Sequence, residues 1–121
     1  MKRGVEINPA DFLPLSTASF YILVALADVD RHGYSILREI AERTGGEIRL
    51  NPGTLYTTIK RLLGDGLILE LDERPDPEYD DERRRYYRIT PLGRRAVRAE
   101  AARLEALVSI ARSAGLAPKP A

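Results

Sequence analysis

The chain of 121 residues contains no cysteine and no tryptophan, and its single histidine is His32. The absence of cysteine excludes disulfide bonds and thiolate metal sites. One histidine cannot form a histidine-rich metal cluster, and a structural role before a helix is favoured for it. No nucleophile–base pair, metal-ligand set or glycine phosphate loop has the required spacing. We therefore predict a protein that is not an enzyme and binds no metal and no cofactor.

Long apolar segments are also missing. The longest one, residues 20–27, has eight residues, whereas a membrane helix needs about 20. No basic segment followed by an apolar one opens the chain. We expect a cytoplasmic protein without a membrane partner. Hydrophobic residues make up 44% of the chain, which suits one globular domain.

The net charge of +1 hides an uneven charge distribution. Residues 72–85 carry seven acidic and four basic side chains, a net charge of −3. Residues 91–121 carry six basic and two acidic side chains, a net charge of +4. A nearly neutral total can therefore hide a basic face, which is what contact with phosphates requires.

Caps, glycines and apolar periodicity divide the chain into elements. In chain order we predict an N-terminal arm (1–15), a helix (16–27), a second helix (33–44), a short strand (within 47–50), a third helix (51–63), a hairpin (67–71 and 84–89), a long helix (91–114) and a flexible tail (115–121). This order is typical of a winged helix-turn-helix. The predicted fold class is α+β, mostly α, with a DNA-binding domain at 16–90 and a C-terminal dimerisation helix at 91–114.

The third helix has a marked start and two different sides. Asn51 can cap its first turn, and Pro52 suits the first helical position. At 100° per residue one arc of the helix is aliphatic and predicted to be buried, and it comprises Leu55, Ile59, Leu62 and Leu63. The other side is hydroxylated and cationic, and we predict that it contacts DNA through Gly53, Thr54, Tyr56, Thr57, Lys60 and Arg61. Spacing alone leaves two alternatives open: three helices packed without DNA binding, and a Tyr56 that fills the edge of the core.

The second strand of the hairpin is basic. Side chains alternate along a strand, so Arg84, Tyr86 and Arg88 share one face, and Arg85, Tyr87 and Ile89 share the other. We predict that Arg84, Arg85 and Arg88 contact DNA phosphates, while the acidic tip stays off the DNA. The alternative is a solvated, charged edge strand. Tyr34 could donate to a phosphate or pack at the start of its helix.

The last helix carries an apolar stripe that a small domain cannot cover completely. It comprises Val97, Leu104, Leu107, Val108 and Ala111. We predict that this stripe forms a homodimer, and that Phe20 and Leu23 of the apolar first helix join the dimer surface. The alternative for the first helix is a central helix of the core, and the two roles are not exclusive. Packing of the stripe on its own domain is the alternative.

Several motifs together resemble the PadR family of bacterial transcriptional regulators. They span residues 16–95 and are His32-Gly33-Tyr34, Thr44-Gly45-Gly46, Pro52-Gly53-Thr54-Leu55-Tyr56, Arg61-Leu62 with Gly66-Leu67-Ile68, and Arg85-Tyr86-Tyr87 leading to Thr90-Pro91-Leu92-Gly93.

The resemblance implies a homodimer that binds a pseudo-palindromic, double-stranded operator, usually as a repressor that a small molecule releases. It places recognition contacts on Gly53, Thr54, Tyr56, Thr57 and Lys60. It places contacts to the DNA backbone on Tyr34 and on Arg84, Arg85 and Arg88 of the hairpin, which is the wing of this fold. The single C-terminal helix resembles the short subgroup of the family. Because the chain lacks tryptophan, the indole-lined drug pocket of some relatives cannot be carried over, and the effector stays open. The alternative function is a winged-helix protein-interaction module without DNA binding, which the nearly neutral charge and the acidic wing support.

Overall fold

The computed structural model describes residues 7–71 and 85–120. This part of the chain contains a 3₁₀ turn (Pro9–Phe12), four α-helices and three short strands. In chain order they are α1 (Thr17–Ala25), β1 (Arg31–His32), α2 (Gly33–Arg43), α3 (Pro52–Gly64), β2 (Ile68–Glu70), β3 (Tyr86–Ile89) and α4 (Pro91–Ser113). The architecture is a winged helix-turn-helix and confirms the predicted fold class. The tip of the hairpin and Arg84 lie outside the described residues.

Each of these helices begins at a side chain that accepts a hydrogen bond from the first turn, as an N-cap does. The amide of Ser19 donates to the Ser16 hydroxyl (3.0 Å), and that of Thr54 donates to Asn51 Oδ1 (2.8 Å). For α2 the acceptor is His32 Nδ1, which lies 3.1 Å from the Ser35 nitrogen. His32 therefore has the structural role that the sequence favours.

The sheet corrects one prediction. Its strand order is β1-β3-β2, and both pairings are antiparallel. The strand predicted within residues 47–50 is wrong, because that segment is a loop in which the Ile48 amide donates to the Thr44 hydroxyl (3.0 Å). The third strand is β1, which pairs with Tyr86 and Tyr87. A short segment becomes a strand only where another strand satisfies its hydrogen bonds, and β3 offers that edge to residues 31–32.

Helix α1 is the centre of the core and contacts α2, α3 and α4. The fully buried aliphatic side chains come from α1, α2, α3 and the residue before β2, and include Ile22, Leu23, Ile36, Ile40, Leu55, Leu62 and Leu67. Leu23 has no exposed surface in the protomer. We therefore assign Leu23 to the protomer core instead of the predicted dimer surface. Phe20 is half-buried.

The first turns of α4 dock on this core, and their buried face includes a carboxylate. Gly93, Ala96 and Glu100 form the buried face. The Glu100 carboxylate accepts two hydrogen bonds from Arg103 (2.9 and 2.7 Å). The bonds from Arg103 and from the Leu15 backbone lower the pKa of Glu100, although desolvation opposes them. The 3₁₀ turn before α1 also packs against α4.

We expect Gly93→Ala to destabilise the domain, because a Cβ at Gly93 would overlap the carbonyl oxygen of Leu67 and lie 2.9 Å from Ile89 Cγ1. Such overpacking costs about 1–3 kcal/mol of unfolding free energy, which urea titration followed by circular dichroism measures. The control is Gly64→Ala at the end of α3, where a Cβ would have no neighbour within 4 Å. This control should be neutral or stabilising by up to about 1 kcal/mol. Equal stability of the two variants would contradict the predicted clash.

Candidate nucleic-acid interface

Helix α3 is buried on one side and open on the other. Leu55, Ile59 and Leu62 are at most 2% exposed. The residues predicted for the opposite side are all exposed, namely Gly53, Thr54, Tyr56, Thr57, Lys60 and Arg61. The predicted division of α3 into a core side and an outer side is therefore confirmed, although Leu63 of the predicted core side is only half-buried. We call these six residues the outer face of α3.

The outer face combines small polar groups with two positive charges. Its N-terminal half presents Thr54 and Thr57, whose hydroxyls both donate and accept hydrogen bonds. Its C-terminal half presents Lys60 and Arg61, and residues 52–64 contain no acidic side chain. A helix with this surface fits a major groove, because base edges need paired donors and acceptors while phosphates need cations.

The turn between α2 and α3 has the conformation that the two glycines predict. Gly45 and Gly46 have φ angles of 62° and 87°, in the left-handed region that favours glycine. At the other end of α2, Tyr34 lies in the first turn and is 70% exposed. This exposure favours an outward role for Tyr34 over packing at the helix start.

Tyr56 lies at the border of α3 and reaches the start of α2. A Cβ at Gly33 would lie 2.5 Å from the Tyr56 hydroxyl oxygen and 3.0 Å from Cζ. The Tyr56 ring therefore approaches Gly33 closely, which brings the His32-Gly33-Tyr34 motif next to α3. Tyr56 is still 39% exposed, so part of the ring remains on the outer face.

The strand β3 alternates as predicted, but Arg88 on it and Arg85 just before it are held by carboxylates. Tyr87 and Ile89 are buried and Arg88 is exposed. Arg88 Nε and Nη2 donate to the two carboxylate oxygens of Asp30 (3.1 and 2.8 Å). Arg85 Nη1 lies 3.2 Å from a carboxylate oxygen of Glu70.

The pairing of these arginines with Asp30 and Glu70 was not predicted from the sequence. The position of Asp30 depends on β1, and a strand of two residues has no periodicity that a sequence could display. Glu70 lies in β2, but its ion pair depends on the register of β2 against β3. Burial, followed by the negative charge of Glu70, raises the pKa of the neighbouring Tyr87 hydroxyl.

The apolar stripe of α4 extends beyond the protomer core. Leu104, Leu107 and Val108 are exposed, whereas Val97 and Ala111 are half-buried. At 100° per residue, Leu104, Leu107 and Ala111 continue the face whose first turns bury Gly93 and Glu100. The face that docks on the core in the first half of α4 is therefore open in the second half. Ile110, which the sequence analysis left out, is 66% exposed nearby.

The described residues contain no group of three or more histidine, aspartate or glutamate side chains placed to hold a metal ion. Among the helices of the same residues, none combines the length and apolar character needed to cross a membrane. A cavity of about 420 Å³ lies between the segment before α1, the start of α1 and the end of α3. Its polar lining residues are Asp11, Ser16, Ser19, Arg61 and Asp65.

The sequence is similar to known regulators. The family described as Transcriptional regulator PadR-like family matches residues 22–99. Over 87 residues the chain is 40% identical to Transcriptional regulator Rv3488 of Mycobacterium tuberculosis, covering 72% of this chain and 75% of that protein.

The fold is similar to solved structures of regulators. One is a transcriptional regulator from Clostridium thermocellum (TM-score 0.66, 29% identity, 79% of this chain and 87% of that one). Another is Bacillus subtilis PadR in complex with operator DNA (TM-score 0.58, 20% identity, 75% of this chain and 48% of that one), a likeness of fold. The family match, together with the 40% identical relative, shows that this chain belongs to the PadR-like family of transcriptional regulators.

Proposed function

We propose that the chain is a sequence-specific DNA-binding regulator without catalytic activity, which inserts the outer face of α3 into the major groove. The observation that carries this proposal is the outer face itself, which is exposed, free of acidic residues and held rigidly by the buried aliphatic side of the same helix. The operator DNA in the structure of Bacillus subtilis PadR supports the same use of the fold.

The side chains of the interface divide into two kinds of contact. Thr54 and Thr57 are the candidates for base edges, and Gly53 lets the backbone approach the DNA closely. Lys60 and Arg61 are candidates for phosphates, which fix the register without reading sequence. On the neighbouring elements, phosphate contacts fall to exposed Tyr34 and to the wing arginines Arg84, Arg85 and Arg88. The assignment of Arg84 rests on the sequence alone.

We propose a homodimer formed through the open half of α4. Helix α4 has 23 residues and is about 35 Å long. Leu104, Leu107, Val108 and Ala111 lie in the half that extends beyond the core, and a second copy is the partner that covers them. Val97 and Phe20, both half-buried, lie at the margin of this surface. A dimer would hold two α3 helices roughly 34–36 Å apart, one DNA turn, and would require a pseudo-palindromic operator.

Repression and release by a small molecule are the finer parts of the proposal. The cavity beside the last turn of α3 supports release by a small molecule, since it contacts Arg61 and Leu62 on one wall and the segment before α1 on another. A molecule bound there would act on the end of the helix that reads DNA. We propose residues 16–90 as the DNA-binding domain, 91–114 as the dimerisation helix, and 1–15 and 115–121 as an arm and a tail.

Replacing Lys60 by glutamine should weaken DNA binding and flatten its salt dependence. Each phosphate contact contributes a slope of about one in a plot of log affinity against log salt concentration. Fluorescence anisotropy with duplexes selected from genomic DNA measures this slope. The control is Arg98→Gln, which removes the same charge from an exposed position of α4 that the proposal keeps off the DNA. A chain that binds no DNA even at low salt would favour the protein-interaction module instead.

Replacing Leu107 by glutamate should convert the dimer to a monomer. The change places a charge on the surface that the proposed interface desolvates, and an unpaired buried charge is strongly unfavourable. Light scattering over a range of protein concentrations measures the mass, and circular dichroism checks the fold. The control is Ala102→Glu, which adds the same charge to an exposed position on the opposite side of α4. Persistence of the dimer in the Leu107 variant would refute the proposed interface.

A further inference from the structure

The ion pair between Asp30 and Arg88 has the geometry that arginine also uses to bind phosphate. Two guanidinium nitrogens face two carboxylate oxygens, at 3.1 Å (Nε–Oδ1) and 2.8 Å (Nη2–Oδ2). The hydrogen bonds from Arg88 lower the pKa of Asp30, so the carboxylate is charged at neutral pH. A phosphate oxygen pair would occupy the same fork of donors.

The sheet holds the two side chains opposite each other. Arg31 pairs with Tyr87 and His32 with Tyr86 in the antiparallel ladder. Continuing that register by one residue places Asp30 opposite Arg88. Because Tyr87 and Ile89 point into the core, Arg88 lies on the outward face of the sheet.

The neighbouring Arg31 fixes the backbone beside Asp30. Its Nε donates to the Ala25 carbonyl oxygen (2.7 Å), and its Nη2 lies 3.3 Å from Glu39. The position of Asp30 is therefore set by the fold and not only by its attraction to Arg88.

We propose that Asp30 sets the DNA affinity of this chain by competing with a backbone phosphate for the guanidinium of Arg88. The inference rests on the proposed function, which assigns Arg88 to a phosphate. Side chains of the pair are exposed by 34% (Asp30) and 55% (Arg88), so DNA can reach the guanidinium. Binding a phosphate then requires Arg88 to leave Asp30, and it places the Asp30 carboxylate next to the negatively charged backbone.

The test replaces Asp30 by asparagine, which keeps the shape and removes the charge. We expect the affinity for duplex DNA to rise about two- to fivefold, the range that an exposed ion pair allows. The salt slope should become steeper by about one, because Arg88 then acts as a full phosphate partner. Phosphate contact does not depend on sequence, so the probe is a mixed-sequence duplex of roughly three helical turns, measured by anisotropy at increasing salt.

Asp28→Asn is the matched control, because it makes the same change of net charge two residues earlier. The partner of Asp28 is Arg31, at 3.7 Å. The Arg31 side chain is only 17% exposed and stays bound to Ala25 and Glu39. Removing Asp28 therefore releases no arginine toward DNA, and its salt slope should match that of the unaltered chain.

A variant of Arg88 completes a double-mutant cycle with Asp30→Asn. In an Arg88→Gln background, Asp30→Asn should change the affinity no more than Asp28→Asn does. Weaker binding by Asp30→Asn, or binding equal to that of the Asp28 control, would overturn the inference. The proposed function would stand in that case, provided that the unaltered chain binds DNA with a steep salt slope. Absence of DNA binding by the unaltered chain at low salt would overturn the proposed function as well. Thermal unfolding confirms that each variant is folded.

Discussion

The one-sided burial of α3 is the constraint on which the rest of the structure depends. Leu55, Ile59 and Leu62 lock the helix onto the core built around α1. That packing decides which side chains face outward, since a helix with one face fixed has no freedom to rotate. The Asn51 cap and Pro52 fix where the helix starts, and so which residues lie in its first turn. The contacts proposed for the outer face of α3 follow from this one orientation.

Local signals made α3 predictable, whereas long-range pairing made other features unpredictable. The cap at Asn51 and the aliphatic stripe of α3 are encoded within thirteen residues, and the structure confirms both. Strand β1 has only two residues and exists because β3 lies beside it, so the sequence analysis placed the short strand at 47–50 instead. Leu23 was assigned to a dimer surface because an apolar helix shows no polar side from which its buried face could be inferred. The partners of Arg85 and Arg88 depend on the same sheet register and were missed for the same reason.

Two glycines show how the sequence motifs are connected in space. Gly33 makes room for the ring of Tyr56, and Gly93 makes room for the carbonyl group of Leu67. The first contact lies between the starts of α2 and α3, and the second packs α4 against the residue that precedes β2. Motifs that are separate in sequence therefore meet in space. The spacing of motifs in the sequence could indicate the family, but only the structure gives the physical reason for these glycines.

The positive charge of the interface is distributed unequally between α3 and the wing. Lys60 and Arg61 lie on a helix without acidic residues, whereas Arg85 and Arg88 are compensated by carboxylates of the neighbouring strand and loop. Phosphate contacts contribute affinity for any DNA, whereas base contacts contribute affinity for the operator alone. Compensation on the wing would therefore reduce the sequence-independent part of binding and leave the base contacts proposed for Thr54 and Thr57 unchanged. Because a regulator must find its operator among an excess of other sites, the relevant quantity is the ratio of the two affinities. In the proposed function, ion pairs on the wing lower the affinity for DNA of any sequence. The chain would then bind its operator less tightly than it could, but with a higher ratio of operator affinity to non-specific affinity.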